Sequence, residues 1–294
     1  MTSARGPAVT QLDRRVRREL PDGAPLLDRF ERLLDIVAGL ESCVLALSGG
    51  IDSSFLLHVT SRILGPKCLA VTADSAAVPE WDRADAREAG VAAAEAGAAW
   101  RVVTTRELDD PRYALNPRSR CFFCKTEVYG ALDRIRRTEG LAWVVDGTNA
   151  TDAAASDRPG IAAAEGLAVR SPLAEAALTK EDIRLLARSL GMHDWDRPAS
   201  ACLSSRIPYG VRITPERLRR VESAELGVRA LGFAQVRVRD LGTRARIEVG
   251  ADELARLESH RERVDDVVRG VGFAGWMAAA YTGTGAGDLR VVGR

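Results

Sequence analysis

The stretch VLALSGGIDSSFLLHV, Val44 to Val59, decides how this chain is read. Four apolar residues lead into Ser48-Gly49-Gly50-Ile51-Asp52-Ser53, and a helical pattern follows. The sequence therefore predicts a buried strand, a glycine turn and a helix start. Glycines let the backbone turn tightly and approach a ligand closely. The unsatisfied N–H groups and the positive end of the following helix then face an anion, and the serine hydroxyls add donors. Phosphate is the natural guest, which points to a nucleotide enzyme. The loop lacks the lysine of G-x-x-x-x-G-K-[ST] and is not G-x-G-x-x-G. Read blandly, it is a Gly-Ser turn in an ordinary parallel sheet.

Outward from this loop, strands and helices alternate. Cys68–Thr72 and Trp100–Thr104 read as buried strands, with an alanine-rich helix from about Arg83 to Ala98 between them. Trp143–Val145 reads as another strand, ending in Asp146-Gly147-Thr148-Asn149. This order implies an α/β fold, a parallel sheet with helices on both faces. Ligands of such sheets sit beyond the carboxyl ends of the strands, where Asp74, Ser75, Gly147 and Thr148 fall. Those residues are also ordinary turn formers.

Leu26–Leu40 has helical periodicity, and Thr179–Leu190 opens with the cap pattern T-K-E-D. A long irregular stretch, HDWDRPASACLSSRIPYGVRIT, follows. Pro215–Leu231 then reads as helix, Gln235–Arg239 and Arg244–Val249 alternate with period two, Ala251–Glu258 reads as helix and Phe273–Ala279 as strand. The expected organisation is a flexible arm over 1–22, a nucleotide domain over 23–212, a small α+β domain over 213–281 and a flexible tail over 282–294.

The chain has 294 residues, 46% of them hydrophobic, and a formal net charge of +1, which argues against general attraction to polyanions. Lys67, Lys125 and Lys180 are the only lysines in an arginine-rich chain. No apolar run is long enough to span a bilayer and the N-terminus lacks the apolar core of a secretory signal, so a cytoplasmic location is expected.

Five cysteines in that setting suggest burial, thiol chemistry or metal binding rather than a disulfide framework. Cys43 and Cys68 lie at apolar strands and read as small buried hydrophobes. Cys121 and Cys124 form C-F-F-C, and Cys202 sits in the long loop. Three thiolates can hold a soft metal or an iron–sulfur cluster with one position open. A zinc site completed by His193, or a redox dithiol, remains an alternative.

Taken together, SGGIDSS, C-F-F-C-K, D-G-T-N and R-P-A-S-A-C-L-S-S-R-I-P-Y-G resemble the LarE-type ATP-dependent sulfur transferases of nickel-pincer cofactor synthesis, members of the PP-loop ATP pyrophosphatase superfamily. The resemblance runs from about Leu26 to Tyr281. It implies that ATP adenylates a carboxylate of pyridinium-3,5-biscarboxylic acid mononucleotide with release of pyrophosphate. A sulfur nucleophile then displaces AMP and leaves a thiocarboxylate. In one version of the family the loop cysteine, Cys202 here, gives up its own sulfur. In the other, three cysteines hold a 4Fe-4S cluster, and the presence of Cys121 and Cys124 beside Cys202 favours that version.

Ser48, Gly49, Gly50, Asp52, Ser53, Asp74, Ser75, Gly147 and Thr148 are thus expected around ATP, with Asp52 on Mg²⁺ or capping the helix. Arg206, Arg212, Arg237 and Arg239 are candidates for the substrate phosphate, because guanidinium binds phosphate bidentately. The resemblance also suggests Glu225 and Glu248 as metal carboxylates in the second domain. The expected partners are a small-molecule nucleotide and further copies of the chain, with neither nucleic acid nor membrane. A tRNA thiolase, an amidating PP-loop ligase and a non-catalytic nucleotide-binding module are the rival readings.

Overall fold

The computed structural model describes residues 6–20, 24–154, 159–197 and 200–282. The elements run in the order α1 (Pro7–Glu19), α2 (Pro25–Ala38), β1 (Cys43–Ala46), α3 (Ile51–Leu64), β2 (Cys68–Asp74), α4 (Glu80–Glu95), β3 (Ala99–Thr104), α5 (Pro111–Ala114), α6 (Arg120–Thr138), β4 (Trp143–Val145), α7 (Ala150–Ala154), α8 (Pro159–Gly166), α9 (Pro172–Glu175) and α10 (Lys180–Ser189). The remainder is α11 (Pro215–Ala230), β5 (Arg237–Asp240), β6 (Arg244–Val249), α12 (Leu254–Ser259), α13 (Arg261–Gly270) and β7 (Gly275–Ala280).

The chain folds as two compact units. The first takes residues up to Asp74, Glu80–Thr105 and Cys121–Ser200. Its sheet has the order β3-β2-β1-β4 with every pairing parallel. Along β1, alternate side chains enter different cores. Cys43 and Leu45 join the apolar face of α2, while Val44 joins Val144, Tyr129 and Leu132 on the opposite side. That period-two split is what helices on both faces require. α2 contributes Leu26, Leu27, Phe30, Leu33, Leu34 and Val37, an i, i+3, i+4 stripe that is wholly buried. Cys43 and Cys68 face each other in register and are fully buried, as expected of small apolar residues. The hydrogen bond between them, with burial, pushes the Cys43 thiol well up and keeps it neutral.

Two expectations change in this unit. Residues 1–22 are not simply an arm: Pro7–Glu19 form α1, with Val9, Leu12 and Val16 buried in the main core. Proline at the helix start supplied the local signal, and the surrounding arginines obscured it. The helix predicted over Arg83–Ala98 begins earlier, at Glu80. The cap at Thr179 forms as a complete capping box, with Thr179 and Asp182 exchanging bonds.

The second unit takes Ser75–Pro79, Arg106–Arg120 and Ala201 onward. Its sheet has the order β5-β6-β7, antiparallel between β5 and β6 and parallel between β6 and β7. α11 and α13 bury Leu218, Val221, Val228, Val264 and Val268. Against the small α+β domain expected from Ile213, three upstream stretches, Ser75–Pro79, Arg106–Arg120 and 201–212, also belong to this unit. α13 was not predicted. The expected tail, apart from Thr282, lies outside the described residues, as do 1–5, 21 and 22 of the expected arm and Pro198 and Ala199 of the cysteine-loop motif.

Candidate active site

In the first unit, β1 delivers the chain into the Ser48–Ser53 turn. Gly49 has φ +82°, and a Cβ there would stand 2.3 Å from the Asp82 carbonyl oxygen, so glycine is required twice over. Gly50 caps α3 through its backbone, and the Ser54 N–H donates to the Gly50 carbonyl at 3.0 Å. Ser53 Oγ donates to that same carbonyl at 3.0 Å, accepts from the Ser48 N–H at 3.2 Å and lies 3.1 Å from Ser48 Oγ. The turn is thereby tied to the first turn of the helix. Gly147, after β4, closes in from the side: a Cβ on it would lie 2.8 Å from the Ser53 nitrogen.

Asp52 stands in the first turn of α3. Its Oδ1 is buried and has no hydrogen-bond partner. Burial pushes its carboxyl pKa up, Lys180 pulls it down, Asp152 pushes it up again, and Asn149 and Arg184 lower it. A desolvated carboxylate oxygen left without a donor is costly unless a cation completes it. The donor chemistry fits Mg²⁺, a hard ion that takes carboxylate oxygen. A simple capping role does not account for Asp52, because Gly50 is the cap residue and no side chain caps α3.

The DGTN turn is fixed from behind. Asp146 accepts from Thr148 N at 3.1 Å, Thr148 Oγ1 at 2.8 Å and Ser171 Oγ at 2.7 Å, and also from the Tyr129 hydroxyl. Thr148 is thus held by Asp146. Asp74 ends β2 and pairs with Arg83 at 2.7 Å. Ser75 falls in the second unit, where it donates to Glu107 and accepts from Ala77 N at 3.2 Å.

Cys121 and Cys124 occupy the first turns of α6, three residues apart and therefore on one side of it. Cys121 is exposed, Cys124 half-buried, and neither is in a disulfide. Next to them the Lys125 ammonium lies 5.0 Å from the centre of the Tyr129 ring. Burial works against its charge, but Tyr129, Asp146 and Cys124 outweigh that and raise its pKa. His193, the alternative zinc ligand, pairs with Glu88 at 2.8 Å.

Cys202 belongs to the second unit. It is exposed and precedes a short 3₁₀ turn, Leu203–Arg206. This loop is held by buried charge. Arg206 is completely buried and donates to both carboxylate oxygens of Glu225, at 2.7 and 3.0 Å. Its remaining nitrogen donates to the carbonyls of Ala201 (2.6 Å) and Cys202 (3.1 Å). Arg239 bonds Glu248 at 2.9 Å and the Ser205 carbonyl at 2.8 Å. Asn116, at φ +56°, donates from one amide nitrogen to the carbonyls of Ile207, Pro208 and Val211 at 2.8–3.2 Å.

These contacts show what the candidate arginines meet within the chain. Arg206 and Arg239 turn their guanidiniums inward, onto carboxylates and loop carbonyls, and do not stand open to a phosphate. Arg237 is also buried, and burial followed by the charge of Arg206 lowers its pKa. Arg212 is exposed. Glu225 and Glu248, suggested as metal carboxylates, are occupied by arginines. Among the described residues no group of three or more His, Cys, Asp or Glu side chains is gathered to hold a metal. Sequence reading missed Asn116 as an anchor, although its Asn-Pro turn was visible. It also missed Lys180 beside Asp52, whose signal is its rarity as a lysine in this chain.

No protein-family model matches the chain. It is 34% identical over 254 residues, 85% of this chain and 90% of the relative, to the pyridinium-3,5-bisthiocarboxylic acid mononucleotide synthase of Lactiplantibacillus plantarum. The chain belongs to the pyridinium-3,5-bisthiocarboxylic acid mononucleotide synthase family. Two uncharacterized proteins also resemble it. One, from Synechocystis, is 40% identical over 78% of this chain and 84% of its own length. The other, from Methanocaldococcus jannaschii, is 28% identical over 78% of this chain and 86% of its own length. Among the described residues, no helix of this family member is long and apolar enough to cross a membrane.

Proposed function

We propose that this chain is an ATP-dependent sulfur transferase of the PP-loop class. It adenylates the carboxylates of pyridinium-3,5-biscarboxylic acid mononucleotide, releases pyrophosphate, and converts them to thiocarboxylates. The observation that carries the reading is the Ser48–Ser53 turn with the unpartnered Asp52 oxygen, in a chain that shares most of its length with a named synthase of this product.

A carboxylate is a poor electrophile because its oxygen leaves badly, and adenylation makes that oxygen part of a good leaving group. The turn amides and the head of α3 stabilise charge developing on the pyrophosphate. Asp52 holds Mg²⁺, which neutralises phosphate charge when bound. Gly147 and Thr148, anchored by Asp146, wall the nucleotide, and Asp74 and Ser75 stand at its periphery. Cys202 is the sulfur-transfer residue, its carbonyl held by Arg206 and its thiol exposed.

Cys121, Cys124 and Cys202 are exposed or half-buried thiols outside any disulfide, a soft donor set suited to a 4Fe-4S cluster. Such a cluster would supply a transferable sulfide and spare the polypeptide. A second reading has Cys202 surrender its own sulfur: its Cβ–S bond breaks, the Cα proton leaves and dehydroalanine remains. The exposure of the Cys202 thiol favours it.

The test is an anaerobic reaction with ATP and either the pyridinium dicarboxylate mononucleotide or tRNA. Pyrophosphate and thiocarboxylate formed with the mononucleotide alone are expected. Release with tRNA instead would overturn the proposal in favour of a tRNA thiolase. Iron and sulfide counts, with the polypeptide mass after turnover, separate the two sulfur sources: loss of H₂S from the chain marks Cys202 as donor.

A further inference from the structure

Away from the nucleotide turn, the first unit carries a second cationic site that the chemistry above does not use. α1 lies across α3, and between them is a cavity of about 250 Å³ lined by Gln11, Leu12, Arg15, His58, Arg62 and two alanines. No carboxylate is among its lining residues. One guanidinium is tied to its own helix and the other rests against the backbone after α10. Arg62 donates to the His58 carbonyl at 3.0 Å. Arg15 lies over Gly191, where a Cβ would stand 2.4 Å from its Nη2. Gly191 has φ +75°, so the backbone after α10 is shaped to admit the arginine.

The environment is electrostatically unbalanced. Burial lowers the pKa of Arg62, the charge of Arg15 lowers it further, and Glu95 only partly compensates. His58 is brought down to about 4, first by burial and then by Arg62 and Arg15, so the ring is neutral at pH 7. A second cavity of about 210 Å³, which His58 and Arg62 also line, does carry acids, but they are engaged. Asp85 pairs with Arg197 at 2.5 Å and Glu88 with His193 at 2.8 Å. The exposed Arg14 and Arg18 continue the positive face along α1.

We propose that the cavity formed by Arg15, His58 and Arg62 between α1 and α3 is a binding site for a phosphate oxyanion, free or as a phosphate monoester. Two exposed guanidinium forks lining one cavity offer the planar, multidentate recognition that phosphate oxygens take. The bound anion also removes the repulsion between Arg15 and Arg62, so it stabilises the docking of α1 by mass action.

The three histidines provide a local readout, ¹H NMR of the imidazole Hε1 protons in the full chain, with His193→Gln and His260→Gln giving the assignment. Inorganic phosphate or AMP is titrated at pH 7 against chloride at equal ionic strength. A saturable shift of His58 with phosphate or AMP, absent with chloride, is expected. Response to inorganic phosphate identifies a free anion as sufficient, and response to AMP alone identifies a monoester. Arg15→Gln, on the exposed face of α1, weakens the response at least about tenfold, and Arg62→Gln does the same. Ser53→Ala, altered only in the nucleotide turn, keeps it. A shift equal in chloride, unchanged affinity in Arg15→Gln, or loss of the response in Ser53→Ala would each overturn the proposal.

Discussion

The Ser48–Ser53 turn and the Cys202 loop are built on opposite principles. The turn is made of main chain: two glycines, a helix head and serine hydroxyls that satisfy one another, with one buried carboxylate oxygen of Asp52 left open. The cysteine loop is made of side chains. Arg206, Arg239 and Asn116 reach in and take its carbonyls, and every buried guanidinium that does so is matched by Glu225 or Glu248. On the proposed function, a phosphate, multiply charged and recognised by amides, would meet main-chain donors at the turn and a cation held by Asp52. The thiol of the proposed sulfur transfer would move while a loop whose charges are compensated internally stays put.

Four substitutions can break or sharpen this contrast. The largest effect is expected from Cys202→Ala, which abolishes thiocarboxylate while pyrophosphate release persists; equal loss of both products would place the cysteine in adenylation instead. Next is Arg206→Ala, which leaves the wholly buried Glu225 unpaired and lowers stability by about 3–5 kcal/mol, read from urea unfolding. Since Arg206 and Glu225 are both fully buried, no solvent screening softens that cost. If Arg206→Ala unfolds normally but raises only the KM for substrate, the guanidinium binds ligand after all.

Gly49→Ala introduces a clash with the Asp82 carbonyl and a strained φ, and should slow pyrophosphate release about 100-fold, near 2.7 kcal/mol of barrier. The reactivity of Cys202 toward a thiol reagent is expected to stay unchanged. The smallest effect is that of Asp52→Asn. Because burial raises the Asp52 pKa above its unfolded value near 3.9, ionisation opposes folding once the pH rises past that point. The penalty is absent in acid and complete above the folded-state pKa. Asp52→Asn should therefore melt slightly higher than the parent at pH 7 without Mg²⁺ and equal to it at pH 3. Mg²⁺ should stabilise the parent alone. A variant that melts lower at pH 7 would return Asp52 to a structural role.

The same contrast explains what could be read before any coordinates. A turn built from main chain leaves its mark in residue type, and Gly49, Gly50, Ser53 and the apolar strand before them are contiguous. The capping box at Thr179 and the parallel sheet were legible for the same reason. Neighbours three or four residues apart, or alternating along a strand, carry those signals. The cysteine loop depends on partners far along the chain: Arg206 on Glu225, Ser205 on Arg239, Ile207 on Asn116. An arginine that will be buried in an ion pair looks in sequence like one that will bind phosphate, so the buried pairing of Arg206 with Glu225 and of Arg239 with Glu248 was not legible. α1 escaped notice because Val9, Leu12 and Val16 are spread among arginines, and only its packing partners reveal that the stripe is buried.

Neither compact unit is continuous, and the interleaving has a consequence for biogenesis. The second unit draws on Ser75–Pro79 and Arg106–Arg120 as well as the C-terminal third, while the first is complete only at Ser200. A nascent chain emerging from the ribosome must keep those two short segments uncommitted until more than eighty later residues have been made. A fragment starting at Ile213 would lack Asn116 and the whole cysteine loop. Truncation at that apparent boundary should yield aggregates, whereas expression of the intact gene, or of two pieces together, offers every strand and helix its mate.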